Sequence, residues 1–156
     1  SALSVGTRLI LVGDVDQLGR RRTCNAPILY AEDSQLLSTL IYNGLNKAGY
    51  VNLLPANNGL ELWEILQQYK EDGNVREKVA CVITDIEMPQ MDGHRLLRLI
   101  RADQELKDLP VIIFSSLINE EMKRKGERLG ADAQLSKNEF GAFVEKLDEL
   151  LLDKGW

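Results

Sequence analysis

From Pro27 onward, short apolar runs alternate with amphipathic helical patterns, and this alternation limits the chain to few folds. "PILYAEDS" is an apolar run that ends in acids, and Ser34 follows as the expected N-cap of a first helix. Leu36, Leu37, Leu40, Ile41 and Leu45 then recur at helical spacing, and Gly49 stops the helix. "YVNLLPA" reads as a second strand near a sheet edge, because Pro55 cannot donate to a ladder. Asn57-Asn58-Gly59 reads as a turn. The helix "LELWEILQQY" follows, with Leu60, Leu62, Trp63, Ile65 and Leu66 on its apolar side. Lys70 to Lys78 is polar, contains Gly73, and reads as a loop.

"VACVITD" is the third strand, and "GHRLLRLIRAD" is a helix presenting Leu96, Leu97, Leu99 and Ile100. Pro110 opens the fourth strand, "VIIFSS". "NEEMKRKGERLG" is a charged helix ending at Gly130. "AQLSK" is the fifth strand, and "EFGAFVEKLDELLLD" is a last helix with Phe140, Phe143, Val144, Leu147 and Leu151 inward. The pattern is five strands and five helices in strict alternation. Strands that are apolar throughout are buried on both faces, so the expected class is α/β, a parallel sheet with helices on each side.

In such folds ligands sit at the carboxyl ends of strands. Glu32-Asp33, Asp85 and Ser115-Ser116 stand at three of those ends, and Lys137 closes the fifth strand. Glu32, Asp33 and Asp85 are expected to meet at one edge. Three adjacent carboxylates repel one another unless something neutralises them. A hard divalent cation does so, and oxygen ligands suit Mg²⁺. A hydroxyl and an ammonium at the same pole suit the oxygens of a phosphoryl group. Carboxylates act as nucleophiles that form acyl phosphates, and Asp85 is the natural candidate because it ends an interior strand.

"ILYAEDS", "VITDIEMPQMDG", "VIIFSS" and "LSK", taken together and in order, resemble the motifs of response-regulator receiver domains of two-component signalling. The resemblance covers about Pro27 to Asp153. It implies a doubly wound, flavodoxin/CheY-like sheet of five parallel strands in the order 2-1-3-4-5. It implies Asp85 as phosphoacceptor, with Glu32, Asp33 and Asp85 as ligands of Mg²⁺ (or Mn²⁺). The backbone carbonyl of Glu87 is the further metal ligand it implies. Ser115 is then the switch hydroxyl and Lys137 the charge partner of the phosphoryl group. Met88-Pro89 and Asp92-Gly93 match the loop that follows the acceptor, where proline stiffens the chain and glycine permits a tight turn.

The sequence departs from the family's pattern in three places. Asn138 follows Lys137, where receivers usually carry a proline, often after a cis bond. Gln134 and Leu135 stand where many receivers carry a switching aromatic residue. The stretch from Lys70 to Lys78 is longer than in the shortest receivers. That stretch, with "IYNGLNKAGYVNL" and "DIEMPQMDGHRLLRLIR", is similar to the receiver half of CheV-type chemotaxis coupling proteins, which fuse an adaptor to a receiver.

The expected organisation is a tail or linker over 1–26, a receiver domain over 27–153 and a tail over 154–156. "GTRLILVGDVDQL" contains one apolar strand, Leu9 to Val12, which reads as the end of a preceding domain. Its "GDVDQL" also resembles a motif of some DNA helicases, but the chain has no GxxxxGK[ST] phosphate loop. Arg20-Arg21-Arg22 reads as a solvated basic hinge. The chain begins at Ser1 and not at methionine, so a processed chain or a piece of a longer one is expected.

The net charge of −5 argues against direct nucleic-acid binding by this chain. No apolar run approaches bilayer length, and no signal peptide is visible, so the expected place is the cytoplasm. Cys24 and Cys81 have no metal-ligand spacing, and Cys81 is expected to be buried. The single histidine, His94, leaves little scope for a zinc site or a catalytic triad.

The leading expectation is a signalling receiver, not a classical enzyme. It takes a phosphoryl group from a histidine kinase, loses it slowly, and passes the change to a downstream protein partner in chemotaxis coupling. A receiver of a transcriptional regulator is the alternative within signalling. A Mg²⁺-dependent phosphohydrolase, with Asp85 and Glu87 as nucleophile and acid, is the alternative among enzymes. A receiver-like fold that no longer takes phosphate and serves only as a dimerisation or docking surface is the third. A homodimer is left open.

Overall fold

Five parallel strands form a single sheet in the order β2-β1-β3-β4-β5, in a computed structural model that describes residues 23–116, 118–152 and 154–156. The expected strand at 9–12 and the basic run at 20–22 lie outside the described residues. In chain order the elements are β1 (Ile28–Ala31), α1 (Gln35–Lys47), β2 (Leu53–Ala56), α2 (Gly59–Asp72), α3 (Val75–Lys78), β3 (Cys81–Thr84), α4 (Gly93–Ala102), β4 (Val111–Ser115), α5 (Glu120–Leu129), β5 (Ala133–Ser136) and α6 (Phe140–Leu151).

Strand parity sorts the core into two layers. Leu29, Ala31, Val82, Val111 and Ile113 face one side and pack with Leu62 and Leu66 of α2 and Leu96, Leu97 and Ile100 of α4. Ile28, Tyr30, Cys81, Ile83, Ile112 and Phe114 face the other side and pack with Ile41 and Leu45 of α1 and Phe143, Leu147 and Leu151 of α6. Each large apolar side chain fully buried this way contributes about 1.5–3 kcal/mol. Phe114 stacks on Phe143 with ring centroids 4.1 Å apart, and Phe140 meets Phe143 edge-on at 5.4 Å. Tyr50 donates a buried hydrogen bond of 2.6 Å to Asp148 Oδ1, tying α6 to the chain that enters β2. Cys24 is buried and pairs in parallel with Tyr50, so the chain packs onto the second layer before β1 begins.

Local chemistry sets the helix starts. Ser34, Asn58, Asp92 and Asn119 each accept a backbone N–H of the first turn through the side chain. Ser34 thus caps α1 as its sequence requires. Asn58 and Gly59, expected in a turn, are instead the cap and first residue of α2. The segment 70–78 is not a plain loop: α2 runs on to Asp72, and α3 adds a short sixth helix among the described residues. A single buried side chain, Val75, anchors that turn, which is too little to show as helical periodicity. β2 lies at an edge, as Pro55 requires.

Candidate functional site

The register of the sheet builds the site. Ala31 pairs with Thr84, so the next residues, Glu32 and Asp85, emerge side by side. Ser115 pairs with Ser136, which brings the following residue, Lys137, to the same pole. The backbone N–H of Lys137 donates to Ser115 O at 2.9 Å and holds that register.

Asp85 is buried and both of its carboxylate oxygens are engaged. Oδ1 accepts from Ile86 N at 2.7 Å, from Ser115 Oγ at 2.7 Å and from Glu87 N at 3.4 Å. Oδ2 accepts from Lys137 Nζ at 2.8 Å. Lys137 Nζ also donates to Glu32 Oε1, and Glu32 Oε2 accepts from Ser34 N at 3.1 Å. The Glu32 side chain is only 2% exposed, so its charge is held against solvent by this ammonium. Burial pulls the Lys137 pKa down, but the hydrogen bonds and charges of Asp85 and Glu32 outweigh it and leave it above the ordinary lysine value.

Asp33 is exposed on the rim, and one carboxylate oxygen from each of Glu32, Asp33 and Asp85 lies within 4.8 Å of the others. Three carboxylates and one ammonium leave a formal charge of −2, which suits a divalent cation. The all-oxygen donor set and the solvent-facing Asp33 fit Mg²⁺, which prefers oxygen and keeps part of its water. Of the two serines that end β4, Ser115 is buried against Asp85 and Ser116 is exposed. The Glu87 side chain is exposed, and the residue reaches Asp85 through its backbone.

Two features of the site carried no sequence signal. The Ile86 and Glu87 N–H groups that hold Asp85 are backbone atoms and leave no residue signature. The sequence predicts a tight turn at Gly93, but its φ is not positive. A Cβ there would sit 2.1 Å from the Asp85 carbonyl oxygen, so close approach is what requires glycine. Asp92 caps α4 by accepting from Arg95 N at 2.8 Å.

A family model described as the response regulator receiver domain matches residues 28–148. The chain belongs to this family. Receiver domains are signalling modules and not classical enzymes.

Among curated relatives, the receiver is 37% identical over 89 residues to the chemotaxis protein CheY1 of Helicobacter pylori strain J99, covering 57% of this chain. It is 29% identical over 127 residues to the chemotaxis protein CheV3 of Helicobacter pylori strain 26695, covering 80% of this chain. These alignments span 66% of CheY1 and 40% of CheV3, less than two thirds of either. Against Vibrio cholerae CheY-3 the identity is 32% over 127 residues, covering 81% of this chain and 92% of that protein. The phosphorylated cyanobacterial phytochrome response regulator RcpA superposes with a TM-score of 0.69 at 22% identity, covering 85% of this chain and 98% of its own. Vibrio cholerae CheY4 gives 0.67 at 23%, covering 82% and 100%. Both structures share the fold of this receiver.

Proposed function

We propose that this receiver takes a phosphoryl group from the phosphohistidine of a histidine kinase onto Asp85 and relays it as a change of surface, in chemotaxis coupling. The observation that carries the reading is the clamp on Asp85, with the Ser115 hydroxyl on one oxygen and the Lys137 ammonium on the other. An oxygen of the Asp85 carboxylate attacks phosphorus. The P–N bond to the donor imidazole breaks, its electron pair stays on the ring nitrogen, and an acyl phosphate remains on Asp85. Glu32, Asp33, Asp85 and the Glu87 carbonyl are the groups that would hold Mg²⁺ (or Mn²⁺). When bound, the cation neutralises phosphoryl oxygens.

The Asp85 phosphate adds a charge of about −1.5 to −2. Lys137 then exchanges its carboxylate partners for phosphoryl oxygens, and Ser115 turns its hydroxyl toward them. Lys137 follows directly on β5, so this exchange pulls at β5, α5 and α6 and alters the face offered to a downstream protein. Residues 27–153 form the receiver, and 1–26 lead into it, with Cys24 and Ala26 already part of its core. The chemotaxis setting rests on the names of CheY1, CheV3 and CheY-3. The cytoplasm is the place where such a kinase partner would meet it; no helix among the described residues is long and apolar enough to cross a membrane.

The test is labelling by acetyl phosphate with Mg²⁺, followed by intact-mass analysis. The wild-type chain gains one phosphoryl group, and Asp85→Asn gains none. Labelling of Asp85→Asn at the wild-type rate would remove Asp85 as acceptor. Repeating the assay with a phosphorylated chemotaxis histidine kinase and with a transcription-linked one as donors tests the chemotaxis assignment.

A further inference from the structure

Lys137 acts far from its own strand. Neighbouring strands lie about 4.8 Å apart, so β5 stands about 10 Å from β3 and about 14 Å from β1 along the sheet. One four-carbon stem has to reach both Asp85 at the end of β3 and Glu32 at the end of β1. A small displacement of the Lys137 backbone therefore breaks one contact or both. No proline stiffens the chain just beyond it, because Asn138 stands there.

Glu139 supplies the restraint. β5 is an edge strand with β4 as its neighbour, and an edge strand leaves N–H groups without a sheet partner. Lys137 N–H goes to Ser115 O on β4, while Ser136 N–H goes to Glu139 Oε1 at 2.9 Å. Glu139 N–H returns a bond to Ser136 O at 2.8 Å, which closes a ring around Lys137 and Asn138. The far end of this clip is fixed in the core. Glu139 O accepts from Phe143 N at 3.0 Å, and Phe143 is buried in a stack on Phe114. Ser34, Asn58, Asp92 and Asn119 spend their side chains on capping their own helices. Glu139 makes no such bond to α6, and its carboxylate turns back to β5 instead.

We infer, on the reading that Asp85 is the phosphoacceptor, that Glu139 is a positioning residue for Lys137. Its carboxylate clips the end of β5 to the start of α6 and so fixes the backbone from which Lys137 reaches Asp85 and Glu32. In Glu139→Gln a carboxamide oxygen still accepts from Ser136 N–H, whereas Glu139→Ala leaves that group to water. Glu139 is exposed, so neither change opens the core.

Two measurements on the full chain test this, one of them without any phosphoryl group. Urea unfolding in EDTA of wild type, Glu139→Ala, Lys137→Met and the double variant forms a double-mutant cycle. The factor by which Lys137→Met raises the unfolding constant is expected to be about threefold smaller in the Glu139→Ala background, where the lysine has already lost its place. Acetyl phosphate labelling with Mg²⁺ is expected to slow about tenfold in Glu139→Ala, since a displacement of about 1 Å is enough for that. Glu139→Gln is expected to recover most of the rate, and the double variant to label no more slowly than Lys137→Met. A residue that only starts α6 would slow labelling in the Lys137→Met background as well. Additive unfolding costs overturn the proposal. So does Glu139→Ala labelling at the wild-type rate, or Glu139→Gln labelling as slowly as Glu139→Ala. A wild-type chain that is not labelled at Asp85 removes the acceptor assignment, and the unfolding cycle still decides whether Glu139 holds Lys137.

Discussion

Lys137 Nζ lies 2.8 Å from Asp85 Oδ2 and also donates to Glu32 Oε1, so one ammonium spans the ends of β1 and β3 from its place after β5. It is the internal counter-charge of the acidic cluster. It shares that duty with any divalent cation that binds there.

Lys137→Met leaves Glu32 and Asp85 as buried carboxylates without their ammonium. Removing one partner of a buried ion pair costs about 3–5 kcal/mol. Thermal denaturation in EDTA is expected to show that loss. Millimolar Mg²⁺ is expected to recover more stability in the variant than in the wild type. Equal Mg²⁺ effects on the two proteins would show that lysine and cation do not neutralise the same charges.

Gly93→Ala places a Cβ 2.1 Å from the Asp85 carbonyl oxygen, a backbone atom that cannot rotate away. The loop that follows Asp85 has to shift. Overpacking of this kind costs about 1–3 kcal/mol. Urea unfolding measures the cost, and acetyl phosphate labelling of Asp85 is expected to slow as well. A variant with wild-type stability and labelling rate would mean that the loop has slack.

Gln90 holds φ at +72° in the loop after Asp85. A residue with a Cβ is strained there by about 1–2 kcal/mol, and glycine is not. Gln90→Gly relieves that strain but also frees the unfolded chain, which offsets part of the gain. A net stabilisation of up to about 1 kcal/mol is expected by urea unfolding. A loss of stability would show that the Gln90 side chain makes up for the strain.

His94 is buried in the first turn of α4. Burial and then the Lys125 charge push its pKa below the ordinary histidine value; the Asp92 carboxylate and a hydrogen bond with the Met122 backbone pull the other way, and Arg98 adds to the depression. The unfolded chain therefore binds a proton more readily than the folded one. Stability on this account is complete above the unfolded value of about 6.5 and is lost as pH falls toward the depressed folded value. Denaturation midpoints of wild type and His94→Leu between neutral and mildly acid pH test this. The wild type is expected to lose more stability than the variant on acidification. Parallel curves would remove His94 from the pH dependence.

Much of this was legible in the chain because it is local. Apolar strands, capped helices and an edge-strand proline follow from residue chemistry over a few positions. Ser34 capped α1, and Pro55 fell in an edge strand, for that reason. What was missed was either too short or not carried by side chains. α3 offers one buried residue, Val75, and the N–H groups that hold Asp85 belong to the backbone. Along α1 the helical spacing of Leu36, Leu37, Leu40, Ile41 and Leu45 was visible, but not that Leu36 and Leu40 lie outside the core.

The sequence alone determined the alternating α/β plan and put acids, a hydroxyl and a lysine at strand ends, since period and composition act within each element. Only the tertiary structure decided which of those groups touch. Parity places a residue on a face, but the register between strands far apart in the chain comes from how the crossover helices pack. That packing set Glu32 beside Asp85, chose Ser115 over Ser116 as the hydroxyl on Asp85, and gave Lys137 two carboxylates to bridge.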